Sequence, residues 1–273
     1  MFKNGIGAYA TPIRVFHLCK FVSNVADTYS RKELKDELFP SNDEEKMFAQ
    51  PVQLAVEIGL IEDDGSNLRA SYLAKESKTL TSMDNFRKYC NSIAFSNKDD
   101  LLYKVSSVML KLYDSPDTIP FLRENFTIAP KFIEYISNHI NMVNVPDNMR
   151  GWRFWASFLG LGLVHNDKGF SFLPNMYMNL LDSIENAKLA DGIYIIADFI
   201  ERLSPYISEA LPDNPNDHHL CLGLSNGLRS LHDNGHITLS HELDAKEVWY
   251  LTEMPNHSIP STITHVRVNR GAE

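Results

Sequence analysis

The sequence lacks the features of a disulfide-stabilised, membrane-spanning or nucleic-acid-coating protein. Its three cysteines are odd in number and widely spaced, which fits buried, reduced thiols better than a disulfide framework or a zinc knuckle. No apolar run approaches the roughly 18 residues of a membrane span. Basic residues (26) are fewer than acidic ones (35), and the formal net charge of −9 argues against binding nucleic acid or anionic lipid through bulk charge.

A signal-peptide core is also missing, because the first helix-like segment contains Arg14, His17 and Lys20. We therefore expect a soluble, cytoplasmic protein without membrane contact. Aromatic residues make up 11% of the chain and charged residues 22%, a composition that excludes a disordered chain. At 273 residues the chain exceeds one average domain, so two or three compact units are expected.

Motifs for nucleotide binding and nucleophilic catalysis are missing or out of context. No phosphate-binding loop is present, and Gly160-Leu161-Gly162 lacks the third glycine of a dinucleotide-binding turn. The letters of a serine nucleophile elbow occur around Ser225, but in a helix-like leucine run without the preceding strand that the elbow requires. We therefore expect a protein without enzymatic activity and without a cofactor. A hydrolase that uses Ser225 or a metal is a third, weaker alternative.

Histidines crowd one part of the chain and raise the question of a metal site. His232 and His236 have the spacing of two zinc ligands on one helical turn, but Asn234-Gly235 between them favours a turn. The nearby acidic residues lack the lysine that usually follows in a nuclease site, so a solvated loop accounts for them better. No metal site is predicted. The other residues concerned are His218, His219, His241, Cys221, Asp213, Asp217, Glu242 and Asp244.

The chain contains a pattern of helices followed by a small hairpin. Pro12 begins a helix, Ser30 and Glu33 form a capping box that begins the next, and a third helix follows. Gly59-Leu60-Ile61 then leads into the turn Glu62–Gly65. Three helices and then a hairpin is the order of a winged helix, in which the third helix and the hairpin, or wing, face outward.

The pattern returns twice. Helices from Pro130 and through Trp152 lead into Gly162-Leu163-Val164, which matches Gly59-Leu60-Ile61. In the third copy, helices over 191–207 and 220–231 precede a strand at 236–240, with 249–251 as its return strand. The predicted fold is mainly α with small β-wings, in tandem winged-helix repeats. The units are winged helix 1 (1–80), a connecting helix (81–114) with a potential break at 97–100, winged helix 2 (115–189), winged helix 3 (190–254) and a C-terminal strand or tail (255–273).

DNA contact requires basic or amide side chains on and around the third helices. The first copy is a poor reader of DNA, because its third helix carries Gln53 and Glu57 and its turn is acidic. Basic candidates lie elsewhere, each with an ordinary solvated charge as the alternative interpretation. They are Arg150, Arg153 and Lys168 in the second copy, Asn226 and Arg229 in the third, and Arg14, Lys20, Arg31, Lys32 and Lys35 near the N-terminus.

Aromatic residues on one helix face suggest a further surface. Trp152, Trp155 and Phe158 follow one another at three-residue intervals. Core packing is the first interpretation, and an exposed aromatic anchor for a protein partner is the second.

A family resemblance rests on Thr11 to Val15, on Gly151 to Trp155 with Phe158 to Leu161, and on the three wing turns. Tandem winged helices in such an acidic, non-catalytic chain resemble the KITE subunits, which pair with the kleisin and ATPase of SMC-type complexes. They also resemble the small accessory subunits of bacterial defence systems such as Lamassu. The winged-helix subunit of the deazapurine-DNA modification cluster is a related candidate.

The resemblance implies a non-catalytic scaffold subunit in a prokaryotic anti-phage or anti-plasmid defence complex. Such a subunit bridges an SMC- or ABC-type ATPase and a nuclease effector, with contact to double-stranded DNA. The resemblance covers most of the chain but rests on general winged-helix features, so no functional residue is carried across. The alternative is a winged-helix transcription regulator that binds an operator directly.

Overall fold

The computed structural model describes residues 1–3, 5–24, 28–38, 45–114, 129–166, 170–254, 257–269 and 271, and leaves the side chains of 164–171 undescribed. About half of the chain is helical and the sheets are small and antiparallel, as the sequence predicts. The helices are α1 (Pro12–Ser23), α2 (Arg31–Leu38), α3 (Glu45–Glu57), α4 (Tyr72–Glu76), α5 (Met83–Ile93), α6 (Leu101–Leu112), α7 (Pro130–His139), α8 (Val145–Phe158), α9 (Tyr177–Asn186), α10 (Ile196–Ile207) and α11 (Leu222–Asp233).

The strands are short, and each pairs in an antiparallel sense. They are β1 (Tyr29–Ser30), β2 (Ile61–Asp63), β3 (Asn67–Ala70), β4 (Gly162–Asn166), β5 (Phe170–Pro174), β6 (Gly192–Ile195), β7 (Ile237–Ser240), β8 (Trp249–Tyr250), β9 (Thr262–Ile263) and β10 (His265–Val268). No helix in the described part of the chain is both long enough and apolar enough to cross a membrane.

The N-terminal part forms as the local signals predict. Pro12 lies in the first turn of α1, where its missing N–H costs no hydrogen bond. Ser30 and Glu33 form a reciprocal capping box at the start of α2: each backbone N–H donates to the other side chain, at 3.2 Å. The predicted hairpin is β2–β3, with Gly65 in its turn at φ +93°. β1 completes a three-stranded sheet in the order β1-β3-β2.

The C-terminal sheet repeats this strand order with partners that local sequence does not reveal. Its order is β6-β10-β7, so the last strand again lies in the centre. The predicted return strand 249–251 is wrong, because β8 pairs with β9 and β7 pairs with β10. The predicted helix over 191–207 begins only at Ile196, because Gly192–Ile195 pairs with β10 as β6. Residues 255–273, predicted as a strand or tail, include β9 and β10.

Three helices end at a glycine in the same hydrogen-bonded motif before a strand, and α9 ends in that motif with Lys188, at φ +52°, in place of the glycine. Gly59, Gly160 and Gly235 have φ values of +75°, +75° and +78° after α3, α8 and α11. In each case the N–H after the glycine donates to the carbonyl five residues earlier, at 2.9–3.0 Å, which is the Schellman cap. The repeat that begins at Gly59 therefore corresponds to Gly160, two residues before the predicted equivalent Gly162.

The middle of the chain connects the outer parts through buried polar contacts. The predicted connecting helix is interrupted as proposed, with α5 ending at Ile93 and α6 beginning at Leu101. The guanidinium of Arg87 on α5 donates to the carboxylate of Asp182 on α9, at 2.8 and 3.2 Å. One continuous apolar core runs through all these elements, and the division into units at the stated boundaries stays a prediction.

Candidate nucleic-acid and partner interfaces

The tryptophans proposed as partner contacts belong to the core. Trp152 and Trp155 are both 0% exposed. The indole N–H of Trp152 donates to Ser106 Oγ at 3.1 Å, and that of Trp155 donates to the carbonyl of Ala10 at 2.7 Å. Phe158 is half-buried, with its ring centroid 5.6 Å from that of Trp155. For Trp152 and Trp155 the structure therefore favours core packing, the first interpretation, because fully buried side chains do not reach a partner.

A cleft of about 890 Å³ lies between α3 and the first turns of α8. Gln53 on α3 and Arg150 on α8 both line it, together with the N-terminal residues 5–10. Arg150 Nη1 lies 3.0 Å from Asp147 Oδ1, so an acid on the same helix compensates its charge. The volume is that of a small-ligand pocket. The exposed Gln53 of α3 therefore borders a cleft whose opposite wall is α8.

The other basic candidates of the second copy are less available than Arg150. Arg153 is half-buried, and its guanidinium lies 4.7 Å from the centroid of the Phe154 ring. Burial, and then the neighbouring charge of Arg150, lower the pKa of Arg153. Lys168 lies outside the described residues. Of the predicted trio, Arg150 is the one whose side chain the structure describes as exposed.

Helix α11 is enclosed, which corrects the predictions made for the third copy. Arg229 is 3% exposed and donates from Nη2 to the carbonyl of Thr252 at 2.7 Å, so it is not a surface DNA contact. Ser225 is 0% exposed. Its Oγ donates to the carbonyl of Leu220 at 3.1 Å and accepts from the backbone N–H of Thr252 at 2.9 Å. A hydroxyl bonded in this way fixes the loop after β8 and is not placed as a nucleophile.

The N-terminal basic patch divides into paired and unpaired residues. Arg31 forms a salt bridge with Asp63 in the wing, and Lys35 with Glu45. The bond from Arg31 holds the pKa of Asp63 below its ordinary value. Lys32 is exposed and makes no salt bridge with a described residue. Two of the five predicted contacts are thus already used within the protein.

The remaining cations border two adjoining grooves along α1, of about 420 and 470 Å³. Arg14 stacks on Tyr9, and the ammonium of Lys20 lies over the ring of Phe16. No carboxylate is among the described residues that line either groove. We call this surface the α1 groove, lined by Ile13, Arg14, His17, Leu18, Lys20, Phe21, Ser23, Asn24, Leu38, Ala74, Lys75, Ser77, Leu80 and Thr81.

Sequence reasoning missed two members of the α1 groove for different reasons. His17 lies midway between Arg14 and Lys20 at three-residue spacing, so the helical period already places the three on one face. Lys75 comes from α4, whose packing against α1 is a tertiary contact with no local signal. The Ser23 hydroxyl in this groove donates to the carbonyl of Lys20 in the last turn of α1, at 2.9 Å.

The crowded histidines have separate partners. His218 stacks on Trp249 with ring centroids 4.9 Å apart, and His219 stacks on Tyr250. His232 Nδ1 accepts the backbone N–H of Leu239, and His236 Nε2 lies 3.1 Å from the hydroxyl of Tyr177. The described residues contain no group of three or more histidine, cysteine or acidic side chains arranged to hold a metal ion.

Aliphatic side chains are exposed on the sheets of the second and third parts. Leu163 and Leu173 face each other across β4 and β5 and are 65% and 50% exposed. Ile193 and Ile195 lie on the edge strand β6 and are 59% and 50% exposed. Such apolar pairs on short strands are typical of protein contact surfaces.

These observations define the class: a mainly helical protein with small antiparallel sheets and exposed aliphatic side chains on two of them. A family model described as DpdG-like matches residues 7–245, and the chain belongs to that family, a family of the deazapurine-DNA modification cluster. The resemblance to that cluster is therefore confirmed at the level of the family, whereas nothing found points to KITE subunits or Lamassu. No curated protein and no solved structure matches the chain significantly.

Proposed function

We propose that this chain is a non-catalytic, tandem winged-helix subunit of a defence-associated DNA-modification system, where it joins protein partners and touches DNA. The proposal takes the sheets β1-β3-β2 and β6-β10-β7, and the three Schellman caps that contain a glycine, as marks of repeated units. Residues 129–174, with α7, α8 and the β4–β5 hairpin, are the remaining copy.

The observation that carries the proposal is the packing of the third helices. From Leu222 to His232, α11 has no exposed residue among those described. Helix α3 faces the cleft beside α8, and the wing after it carries Glu62, Asp63 and Asp64. A winged helix that reads an operator inserts its third helix into the major groove. Packing of this kind supports a role in assembly over direct reading of a DNA sequence.

The exposed aliphatic pairs supply surfaces for the protein partners. Leu163 and Leu173 occupy the second wing, where a DNA-binding wing needs basic residues. That these partners include an ATPase and a nuclease effector is an expectation from the resemblance alone. The alternative, a regulator acting at an operator, keeps Arg150, Phe154 and Ser157 on α8 as its exposed helix residues.

Charge reversal on α8 separates the two functions. Under the scaffold proposal, Arg150→Glu/Arg153→Glu leaves co-purification of partner proteins unchanged, whereas Leu163→Glu/Leu173→Glu removes it. Under the regulator alternative, the arginine variant abolishes binding to the operator and no partner co-purifies. Circular dichroism and the urea midpoint of each variant establish that it is folded. A chain that purifies as a lone dimer with sequence-specific, salt-sensitive DNA binding contradicts the proposal.

A further inference from the structure

We propose that the α1 groove binds the sugar-phosphate backbone of double-stranded DNA, with Arg14, Lys20 and Lys75 as the phosphate contacts. The inference rests on the proposed function, which expects contact with DNA, and it identifies the α1 groove as the surface that makes this contact. It places the contact on the first helix of the first unit and on α4, away from the third helices and the wings.

The charge distribution of the molecule singles out this surface. Among the described residues, Lys20 and Lys75 make no salt bridge, and Arg14 donates to the backbone carbonyl of Tyr9. In a chain with a net charge of −9, the described residues that line this groove include three cations and no carboxylate, which is a local excess of positive charge. An anionic chain gains Coulomb energy and releases counterions there.

The spacing along α1 fits a row of phosphates. Arg14, His17 and Lys20 occupy one face at intervals of three residues, and a rise of 1.5 Å per residue makes the row about 9 Å long. One DNA strand places a phosphate about every 3.4 Å along the helix axis, so the row spans two to three phosphates. Lys75 extends the positive edge beyond Lys20, because both line the second groove.

The larger cleft beside α3 is a poorer site for the same ligand. Glu45, Glu57 and Asp147 line it together with Lys46 and Arg150, so acids outnumber bases. A phosphate chain is repelled by such a lining, and contacts to phosphate rather than to base edges account for most protein–DNA hydrogen bonds. The cleft therefore serves as an internal comparison for the α1 groove.

Fluorescence anisotropy with a labelled 20-base-pair duplex of arbitrary sequence tests the proposal on the full chain. Lys20→Glu/Lys75→Glu changes the groove, Lys46→Glu/Arg150→Glu changes the cleft, and Lys98→Glu/Lys131→Glu changes exposed lysines outside both. Each pair alters the net charge by the same amount. Arg14 is left in place because its contact with Tyr9 contributes to packing.

We expect the groove pair to weaken binding at least tenfold and to reduce the slope of log K against log salt by about 1.8, the value for two phosphate contacts. The cleft and control pairs should remain within about twofold of the unmodified chain. Equal weakening by all three pairs shows general electrostatics and overturns the proposal, as does duplex binding by the groove pair at full strength.

Two further outcomes separate this inference from the proposed function. If the unmodified chain binds phosphatidylglycerol vesicles through Lys20 and Lys75 but does not bind the duplex, the DNA assignment is wrong. Partner co-purification is measured on the same variants. If no partner protein co-purifies with the unmodified chain, the scaffold role is contradicted. If partners co-purify but the unmodified chain does not bind the duplex, only the assignment of the α1 groove to DNA is contradicted.

Discussion

The carboxyl group of Glu209 lies where water does not reach it. Glu209 lies two residues after the end of α10 and is 1% exposed. Neither oxygen of its carboxyl group has a hydrogen-bond partner among the described residues. Burial raises the pKa of Glu209 well above its ordinary value of 4.5. Burial also raises the pKa of nearby Cys221 to about 12, so that thiol stays protonated when the protein is folded near pH 7.

Glu209 should make stability depend on pH. Between 4.5 and its raised pKa, the folded state binds the Glu209 proton more tightly than the unfolded state does. The contribution is complete below 4.5, and the free energy of unfolding falls as pH rises through this window, by at most about 1.4 kcal/mol per pH unit. Urea unfolding of Glu209→Gln from pH 4 to 9 should lack this slope. Exposed Glu201→Gln is the control, and an unchanged slope in Glu209→Gln contradicts the account.

The glycines that end α3 and α8 offer a second test at single residues. Gly59 and Gly160 share a φ of +75°, but their surroundings differ. A Cβ on Gly59 has its nearest neighbour at 3.9 Å, whereas one on Gly160 lies 2.6 Å from Met178 Cβ and 2.7 Å from the backbone nitrogen of Asn179. Gly59→Ala should therefore cost about 1–2 kcal/mol of unfolding free energy, the price of the left-handed backbone.

Gly160→Ala adds steric overlap with α9 to that cost and should destabilise the chain clearly more than Gly59→Ala. Thermal and urea unfolding of the two variants side by side give the difference. Equal losses show that the approach of α8 to α9 is looser than the contacts at Gly160 indicate.

At the scale of elements, α5 and α9 are joined by one buried and one exposed ion pair. Arg87 and Asp182 are 13% and 0% exposed in their side chains, and Asn91 also donates to Asp182 at 2.8 Å. The next residue along the chain, Lys88, lies 2.7 Å from Glu185, with both side chains at least one-third exposed. Arg87 and Lys88, neighbours on α5, thus form the same kind of ion pair with α9, one in a buried and one in an exposed environment.

Removing Arg87 should cost far more than removing Lys88. Arg87→Ala leaves Asp182 buried without its cation, which typically costs about 3–5 kcal/mol. Lys88→Ala breaks a solvated pair, worth less than about 1 kcal/mol. Chemical denaturation of both variants checks the contrast, and similar losses contradict the view that the Arg87–Asp182 pair fastens α5 to α9.

The sequence predicted correctly those helix starts and turns that are determined by residues close together in the chain. Pro12, the Ser30–Glu33 capping box and the Glu62–Gly65 turn each act within four residues, and each is found in the structure. Strand β6 was missed because Ile193 and Ile195 continue an apolar pattern that equally suits α10. Its pairing with β10, some 70 residues later, decides the conformation.

The candidate sites were harder to predict than the fold, because exposure is a property of the tertiary structure. Arg229 looks available in a helical pattern, and an exposed position was the second interpretation for Trp152, but both are buried once α11 and α8 pack. Arg31 and Lys35 look free in sequence, and both meet acids from neighbouring elements. Lys75 joins Lys20 only through the contact of α4 with α1.

At the scale of the whole molecule, the net charge of −9 is unevenly distributed. Acidic residues occupy the first wing and the cleft beside α3, whereas the unpaired cations Lys20 and Lys75 lie on the α1 groove. The exposed aliphatic pairs lie on other strands, at Leu163–Leu173 and Ile193–Ile195. The two proposals therefore assign protein contact and DNA contact to different elements of the chain.

Affinity purification of the tagged chain from cells that express the complete cluster, followed by native mass spectrometry, tests the central claim most directly. The account predicts a stoichiometric complex with at least one other protein of the cluster, lost in Leu163→Glu/Leu173→Glu and retained in Lys20→Glu/Lys75→Glu. A chain recovered alone, or only as its own dimer bound to one specific DNA sequence, would contradict it.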